Sequence, residues 1–139
     1  MLCRTAAWSR CHAIELRNHP CAGRRPCERD GVDCPGLDVA AAFFAGAVAV
    51  TDLNGDGKAE VTVPYRFSCG GGVDSAQIKI ILRDGPVKLS IRGQSRVELP
   101  DQAGFGGEHT HDKALLEPAN AAFKQHLDAV WRAVSVEKR

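Results

Sequence analysis

From residue 47 onward, apolar and polar residues alternate with a period of two, which is typical of half-buried β-strands. Residues 47–51 lead into an acidic turn, and the alternating run 61–67 follows it, so we expect two antiparallel strands around the turn. Pro64 has no amide hydrogen to donate to a neighbouring strand. We therefore expect the second strand to lie at a sheet edge or to be bulged at Pro64.

Residues 77–83 and 87–92 form two more alternating runs. The segment Asp84-Gly85-Pro86 joins them, and Asp-Gly is a strong hairpin signal. A fifth strand is predicted over residues 95–99, after which glycines at positions 104, 106 and 107 predict a loop. These patterns indicate an antiparallel β-meander of about five strands.

The last element is predicted to be a helix that begins at Pro118, where a missing amide hydrogen costs nothing. Its apolar residues recur at helical spacing on one face: Phe123, Leu127, Val130, Trp131 and Val134. The opposite face carries Lys124, Gln125, Asp128 and Arg132. We expect the apolar stripe to cover the sheet, which gives an α+β fold: a β-meander of about five strands covered by one C-terminal amphipathic helix.

The acidic turn has the sequence Asp52-Leu53-Asn54-Gly55-Asp56-Gly57-Lys58-Ala59-Glu60. Calcium prefers six to eight oxygen ligands, and closely spaced Asp and Asn side chains on a tight turn provide them. The turn therefore predicts a calcium site; the ligands would be the side chains of Asp52, Asn54, Asp56 and Glu60 and the backbone carbonyl of Lys58. The alternative is an ordinary polar turn in which the glycines supply positive φ.

The turn begins like an EF-hand loop but does not end as one. The twelfth position, which carries a bidentate Glu in an EF-hand, is Val63, and the flanking segments are predicted strands rather than helices. The pattern looks like the calcium turn of FG-GAP and integrin-type repeats, which connects two strands. The chain contains no second copy of the turn, so a repeat architecture is not supported.

The length, charge and composition of the chain argue against nucleic-acid binding and against a membrane-spanning segment. A chain of 139 residues with a formal net charge of +1 is the usual size of one domain and has no basic stripe for nucleic acid. No apolar run reaches the roughly 20 residues that a membrane-spanning helix needs. We therefore expect neither a nucleic-acid partner nor a transmembrane segment.

The first 36 residues differ from the rest, because they hold five of the six cysteines and six arginines with almost no periodic apolar pattern. We expect residues 1–31 to be disordered or mis-annotated, either as a translated stretch upstream of the true start of the gene or through a reading-frame error. We expect residues 32–139 to form a single α+β domain. The N-terminus has no pattern of a secretory signal, which taken alone indicates a cytoplasmic protein.

The cysteine spacings do not match structural zinc modules. A disulfide between Cys34, before the sheet, and Cys69, after the second strand, is one interpretation. The other is two free buried thiols.

A second stretch that could carry chemistry runs from Glu108 to Asp112. His109 and His111 would point to the same side of an extended segment beside the two carboxylates, which could bind a transition metal or act as acid and base. An enzyme would need these four residues and Arg92 to converge in one cleft. The alternative is a solvated loop without function.

The chain from Asp33 to Trp131 resembles small bacterial proteins labelled surface polysaccharide biosynthesis protein. The matching residues are Asp33-Cys34-Pro35, Leu37-Asp38, positions 50–61, Tyr65, Cys69, Lys79, Arg92-Gly93, Pro118, Phe123 and Trp131. The resemblance implies an exported module, periplasmic or extracellular, whose partner is an envelope protein or polysaccharide. A calcium site and a Cys34–Cys69 disulfide would be consistent with such a location. It implies no reaction, so the function expected is a calcium-stabilised binding or accessory module, with a small metal-dependent or acid/base enzyme as the alternative.

Overall fold

The computed structural model describes residues 39–69 and 73–139, which belong to one compact unit. The predicted N-terminal segment, residues 1–31, lies outside the described residues. The described strands are β1 (Val39–Phe43), β2 (Ala49–Thr51), β3 (Glu60–Cys69), β4 (Gln77–Asp84), β5 (Val87–Gln94), β6 (Arg96–Leu99), β7 (Gln102–Gly106), β8 (His109–His111) and β9 (Val136–Lys138), with the helix α1 (Ala121–Val134) before β9. Short 3-10 helices span Ala45–Ala47, Lys113–Leu116 and Pro118–Asn120.

The larger sheet has the order β1-β3-β4-β5-β8, and β2 pairs with β3 beyond the end of β1. All of its pairings are antiparallel. The predicted hairpin of β4 and β5 is confirmed, with Asp84 opposite Val87. Gly85 has a φ of 52° in this turn, a left-handed conformation that favours glycine. The α+β meander predicted from the sequence is therefore correct.

A second, smaller sheet has the order β7-β6-β9. The glycines at positions 104, 106 and 107 were expected to form a loop, but Gly104 and Gly106 lie in β7 and Gly107 directly follows it. Gly104 allows β7 to approach β6 closely, because a Cβ at this position would lie 2.6 Å from the carbonyl oxygen of Val97. Strand β9 pairs with β6 in parallel. Strand β9 has only three residues, which are too few to show a period of two, so no pattern in the sequence predicts it.

Pro64 lies in an interior strand rather than at an edge, since β3 has neighbours on both sides. The carbonyl of Pro64 accepts a hydrogen bond from the amide of Phe44 on the β1 and β2 side. In a strand the N and the carbonyl of one residue point to the same side. The nitrogen of Pro64, which has no hydrogen, therefore faces the gap between the end of β1 and the start of β2. Pro64 thus costs no hydrogen bond between β3 and β4.

Helix α1 covers one face of the larger sheet, as predicted. Between them they bury a single core cluster: Ile78, Ile80, Leu82, Leu89, Ile91, Leu115, Phe123, Leu127, Trp131 and Val134. Pro118 is the first residue of a 3-10 turn that leads into α1, so the regular α-helix begins three residues later, at Ala121.

The two faces of the sheet separate the candidate side chains, because successive residues of a strand point to opposite faces. Leu89 and Ile91 of β5 belong to the core cluster under α1. Ser90 and Arg92 of the same strand therefore lie on the face away from the helix.

Candidate functional site

The acidic turn connects β2 to β3 and is closed by its own side chains. Both carboxylate oxygens of Asp52 accept backbone hydrogen bonds, Oδ1 from the amide of Asp56 at 3.1 Å and Oδ2 from Gly57 at 3.1 Å. Oδ1 of Asn54 accepts from the same Asp56 amide at 3.0 Å, and Oδ1 of Asp56 accepts from the amide of Lys58 at 2.8 Å. Such bonds from Asp and Asn to the following amides are the local chemistry that makes these residues favour turns.

Two glycines allow the bend. Gly55 and Gly57 have φ angles of 71° and 80°, in the left-handed region where other residues are strained. A Cβ at either position would meet no other atom within 4 Å, so backbone conformation and not space requires glycine there.

Glu60 differs from the other predicted ligands because it is fully buried. Its Oε1 and Oε2 accept from the amide of Leu53 at 3.1 and 2.9 Å, and Oε2 also accepts from the hydroxyl of Thr51 at 3.0 Å. Burial alone would raise the pKa of this carboxyl, but the hydrogen bonds, led by that from Leu53, hold its pKa below the ordinary value of 4.5. Glu60 thus fastens the start of the turn to the start of β3.

The fit of the turn to calcium rests on Asp52, Asn54 and Asp56, whose side chains are exposed on one short turn. Carboxylate and amide oxygens have two lone pairs each, so an oxygen that accepts one amide hydrogen retains a lone pair for a cation. Among the described residues, no three His, Cys, Asp or Glu side chains converge as a metal site. A calcium ion would therefore rely on Asn54, the Lys58 carbonyl and water as well as the carboxylates, and calcium binding stays a prediction.

The two candidate histidines lie on β8 and face the helix. His111 pairs with Ile91 and His109 with Gly93 across β5. The His109 ring lies over Trp131, with centroids 4.6 Å apart, and the Nε2 of His111 is 2.7 Å from Oδ1 of Asp128. The predicted extended segment with both histidines on one side is therefore present.

Arg92 and Asp112 lie on the face away from the helix. Nη2 of Arg92 donates to Oδ1 of Asp112 at 2.8 Å and to the hydroxyl of Ser90 at 3.0 Å, and that hydroxyl donates to Oδ2 of Asp112 at 2.7 Å. Glu108 is exposed, and its carbonyl accepts from the amide of Gln94. The structure thus places the two histidines on one face of the sheet and Arg92 and Asp112 on the other, and it does not bring the five candidate catalytic residues together in one cleft.

A small cavity of about 130 Å³ lies beside the edge strand β1, where sequence reasoning expected no site. Its polar wall consists of Arg66 and Ser68 from β3, Glu137 from β9, and Arg139, which follows β9. Arg66 Nη1 lies 3.5 Å from Oε1 of Glu137, and Arg139 Nη2 lies 3.1 Å from Oε2. No local motif marks this site, because the β6–β9 pairing brings Glu137 there from a distant part of the sequence.

Cys69 is the last residue of β3 and stands opposite Val39. Cys34 lies outside the described residues, so the Cys34–Cys69 pairing stays a prediction.

Comparison with known proteins found no match for this chain among protein-family models, curated proteins or solved structures. The resemblance to surface polysaccharide biosynthesis proteins therefore stays a prediction. In the part of the chain that the structure describes, no helix is long and apolar enough to cross a membrane.

Proposed function

We propose that this chain is a calcium-stabilised binding or accessory module that acts outside the cytoplasm, at the bacterial envelope. The observation that supports it is the turn between β2 and β3, which presents the exposed oxygen-bearing side chains of Asp52, Asn54 and Asp56 within five residues. A location at the envelope rests on the resemblance stated above.

Calcium would act on the stability of the first hairpin. Asp52 and Asp56 are like charges on one tight turn, and they repel each other until a cation neutralises them. The turn directly joins β2 to β3, whose register places Thr51 opposite Glu60. An ion bound there would therefore hold the N-terminal end of β3, one of the interior strands of the larger sheet.

The geometry favours binding over catalysis. An acid/base site would need His109, His111 and Arg92 around one substrate, yet the histidines face α1 and the arginine lies on the opposite face. Asp112 already pairs with Arg92 at 2.8 Å. We therefore assign the Glu108–Asp112 stretch to the packing of β8 rather than to a reaction.

The test is the melting temperature of the full chain with calcium and with a chelator, under non-reducing conditions. Binding to the folded state alone stabilises by about 2.7 kcal/mol when free calcium is a hundredfold above its Kd, which raises the melting temperature by several degrees. The double variant Asp52→Asn, Asp56→Asn keeps side-chain size and should lose the rise. The matched control is Asp101→Asn, in an exposed turn on the smaller sheet, which should keep it.

An unchanged melting temperature in calcium would refute the metal site and reduce the turn to a polar loop. Equal shifts from magnesium at the same concentration would also count against it, since magnesium demands near-ideal octahedral geometry and retains its water.

A further inference from the structure

Two histidine rings lie side by side on the edge strand β8. His109 and His111 are two residues apart on the strand, and because side chains of a strand alternate between its faces, both rings lie on the face that carries α1. Their ring centroids are 5.4 Å apart. With metal–nitrogen distances of about 2.1 Å, two imidazoles on one tetrahedral ion have ring centroids roughly 5 Å apart. The observed separation therefore matches a pair that shares one ion.

One nitrogen of each ring faces an oxygen acceptor. Nε2 of His111 lies 2.7 Å from Oδ1 of Asp128, and Nδ1 of His109 lies 3.4 Å from the carbonyl oxygen of Gly107. A carboxylate and a carbonyl oxygen accept hydrogen bonds, so these two nitrogens carry the hydrogen and donate. In a neutral imidazole the lone pair then belongs to the other nitrogen, which is Nδ1 in His111 and Nε2 in His109. Histidines that bind metals are commonly held in this way, by a carboxylate or a backbone carbonyl at the second ring nitrogen.

Solvent reaches both rings at the edge of the larger sheet. Strand β8 is the last strand in the order of this sheet. His109 is exposed, and the side chain of His111 is 19% exposed. Nδ1 of His111 is not enclosed, since among the described residues Oε1 of Glu137 is the one buried side-chain nitrogen or oxygen without a hydrogen bond. An ion can therefore approach the pair from solvent.

The chain supplies two ligands to such an ion. No third His, Cys, Asp or Glu side chain of the described residues completes a metal-binding group with them, so water would fill the remaining positions. Two ligands on one strand bind an ion more tightly than either does alone, because the first bond holds the ion close to the second nitrogen. The pair is thus a chelating site with open positions.

The ligand atoms decide which metal is bound. Imidazole nitrogen suits zinc, copper and nickel, whereas calcium and magnesium prefer oxygen. Among the divalent ions of the first transition row, copper binds nitrogen ligands most strongly. The histidine pair therefore selects a different class of ion from the acidic turn.

We propose that His109 and His111 bind one divalent transition-metal ion through Nε2 of His109 and Nδ1 of His111, while Asp128 and the carbonyl of Gly107 orient the two rings. The site goes beyond the proposed function and does not depend on the calcium turn. That turn follows β2, which pairs with β3, and β8 lies at the opposite side of the sheet, beyond β4 and β5. No reaction is assigned to the ion.

The test is a titration of the ¹⁵N-labelled full chain with Ni²⁺, followed by amide signals. Nickel binds imidazole, its unpaired electrons broaden the signals of nearby amides, and it does not oxidise the cysteines. Saturable loss of signal is expected at residues 109–111, at residues 91–93, which pair with them across β5, and at Trp131, which lies under His109. Signals of residues 52–58 should persist at saturation. Loss centred on residues 52–58, or no loss at residues 109–111, would overturn the proposal.

Variants of single histidines locate the ligands. His109→Phe keeps an aromatic ring over Trp131 but removes the nitrogen, and it should weaken nickel binding at least about tenfold, as should His111→Gln. His126→Gln is the matched control, because the Nε2 of His126 lies 3.0 Å from the hydroxyl of Thr62, away from β8. The double variant His12→Gln, His19→Gln is a second control, and both controls should bind nickel at β8 as the wild type does.

His111 also holds β8 to α1, so the amide spectrum of each variant without metal must first match that of the wild type. If His111→Gln loosens β8, His109→Phe decides the result. Unchanged nickel affinity in His109→Phe would refute the site.

Competition distinguishes nitrogen from oxygen ligands. An excess of Zn²⁺ should restore the signals of residues 109–111, whereas the same excess of Ca²⁺ should not. Displacement of nickel by calcium would contradict the assignment. Calcium-dependent melting tests the acidic turn and nickel broadening tests β8, so the failure of one result leaves the other unaffected.

Discussion

The Nε2 atom of His111 lies 2.7 Å from Oδ1 of Asp128, and this contact joins the edge strand β8 to the middle of helix α1. Lys124, one helical turn earlier, donates to Oδ2 of the same carboxylate at 2.6 Å. His109 adds a ring contact with Trp131. The short strand β8 is therefore held to the fold by side chains as much as by its three pairs with β5.

We expect Asp128→Asn to lower the free energy of unfolding by about 1–3 kcal/mol, because both carboxylate oxygens accept charge-assisted hydrogen bonds. Urea unfolding measures the change. Asp101→Asn, at an exposed turn, is the control and should change stability by less than about 0.5 kcal/mol. Equal stabilities of the two variants would show that the contact does not hold β8.

The same carboxylate should give the protein a specific acid sensitivity. Burial alone would raise the pKa of Asp128, but the hydrogen bonds and positive charges of His111 and Lys124 hold it below the ordinary value of 3.8. A lowered pKa stabilises the folded state above the unfolded-state pKa, and this stabilisation is lost as the pH falls through the folded-state pKa. The stability difference between wild type and Asp128→Asn should therefore be largest well above pH 3.8 and should shrink as the pH falls below 3.8. A difference that stays constant over this range would contradict the assignment.

Gly93 should not tolerate a side chain. A Cβ there would lie 2.6 Å from the Cα of His109 and closer still to the carbonyl oxygen of Glu108. We expect Gly93→Ala to push β8 from β5 and to cost about 1–3 kcal/mol in urea unfolding. Gly46→Ala is the control, because a Cβ at Gly46 meets no atom within 4 Å, and it should be neutral or slightly stabilising.

Glu60 should matter for stability even without calcium. Glu60→Gln replaces one acceptor oxygen with an NH2 group, which cannot accept a hydrogen bond from the amide of Leu53, and it removes the negative charge that strengthens the bonds to Leu53 and Thr51, so the melting temperature in chelator should fall. Glu108→Gln is the control, since Glu108 is exposed and its melting temperature should match wild type. If the two variants melt alike, Glu60 does not fasten the turn.

The Cys34–Cys69 disulfide is tested by alkylation without reduction, followed by peptide mass spectrometry. The peptides that contain Cys34 and Cys69 should be recovered joined. Cys34→Ser should then destabilise the chain by about 2–4 kcal/mol, because a cross-link limits the unfolded state. Alkylation of both thiols would support the alternative of two free cysteines.

The parts of the fold that the sequence predicted are those with local signals. The β4–β5 hairpin follows from Asp84-Gly85, and helix α1 follows from its apolar stripe. Strand β9 could not be predicted, because its three residues are defined by a parallel partner about 40 positions earlier, with Arg96 opposite Val136. Periodic apolar residues in a sequence reveal amphipathic strands and helices. They do not reveal a short strand that forms only because it pairs with a neighbouring strand.

The same distinction applies to the candidate sites. The acidic turn was recognised because Asp52, Asn54 and Asp56 are close in sequence. The inward direction of Glu60 depends on its pairing with Thr51, which a spacing pattern cannot show. The cavity beside β1 could not be predicted, because its polar residues come from β3, from β9 and from the residue after β9, and they meet only in the folded chain.

The parallel pairing of β6 with β9 has a consequence for biosynthesis. Arg96 leaves the ribosome about 40 residues before its partner Val136, and at about 5–20 residues per second this interval is about 2–8 s. During that time one edge of β6 has no partner strand, and an unpaired edge is a template for association between chains. The nascent protein is thus most prone to aggregation in the interval between the synthesis of β6 and that of β9, and slowing translation over α1 should lower the yield of soluble protein.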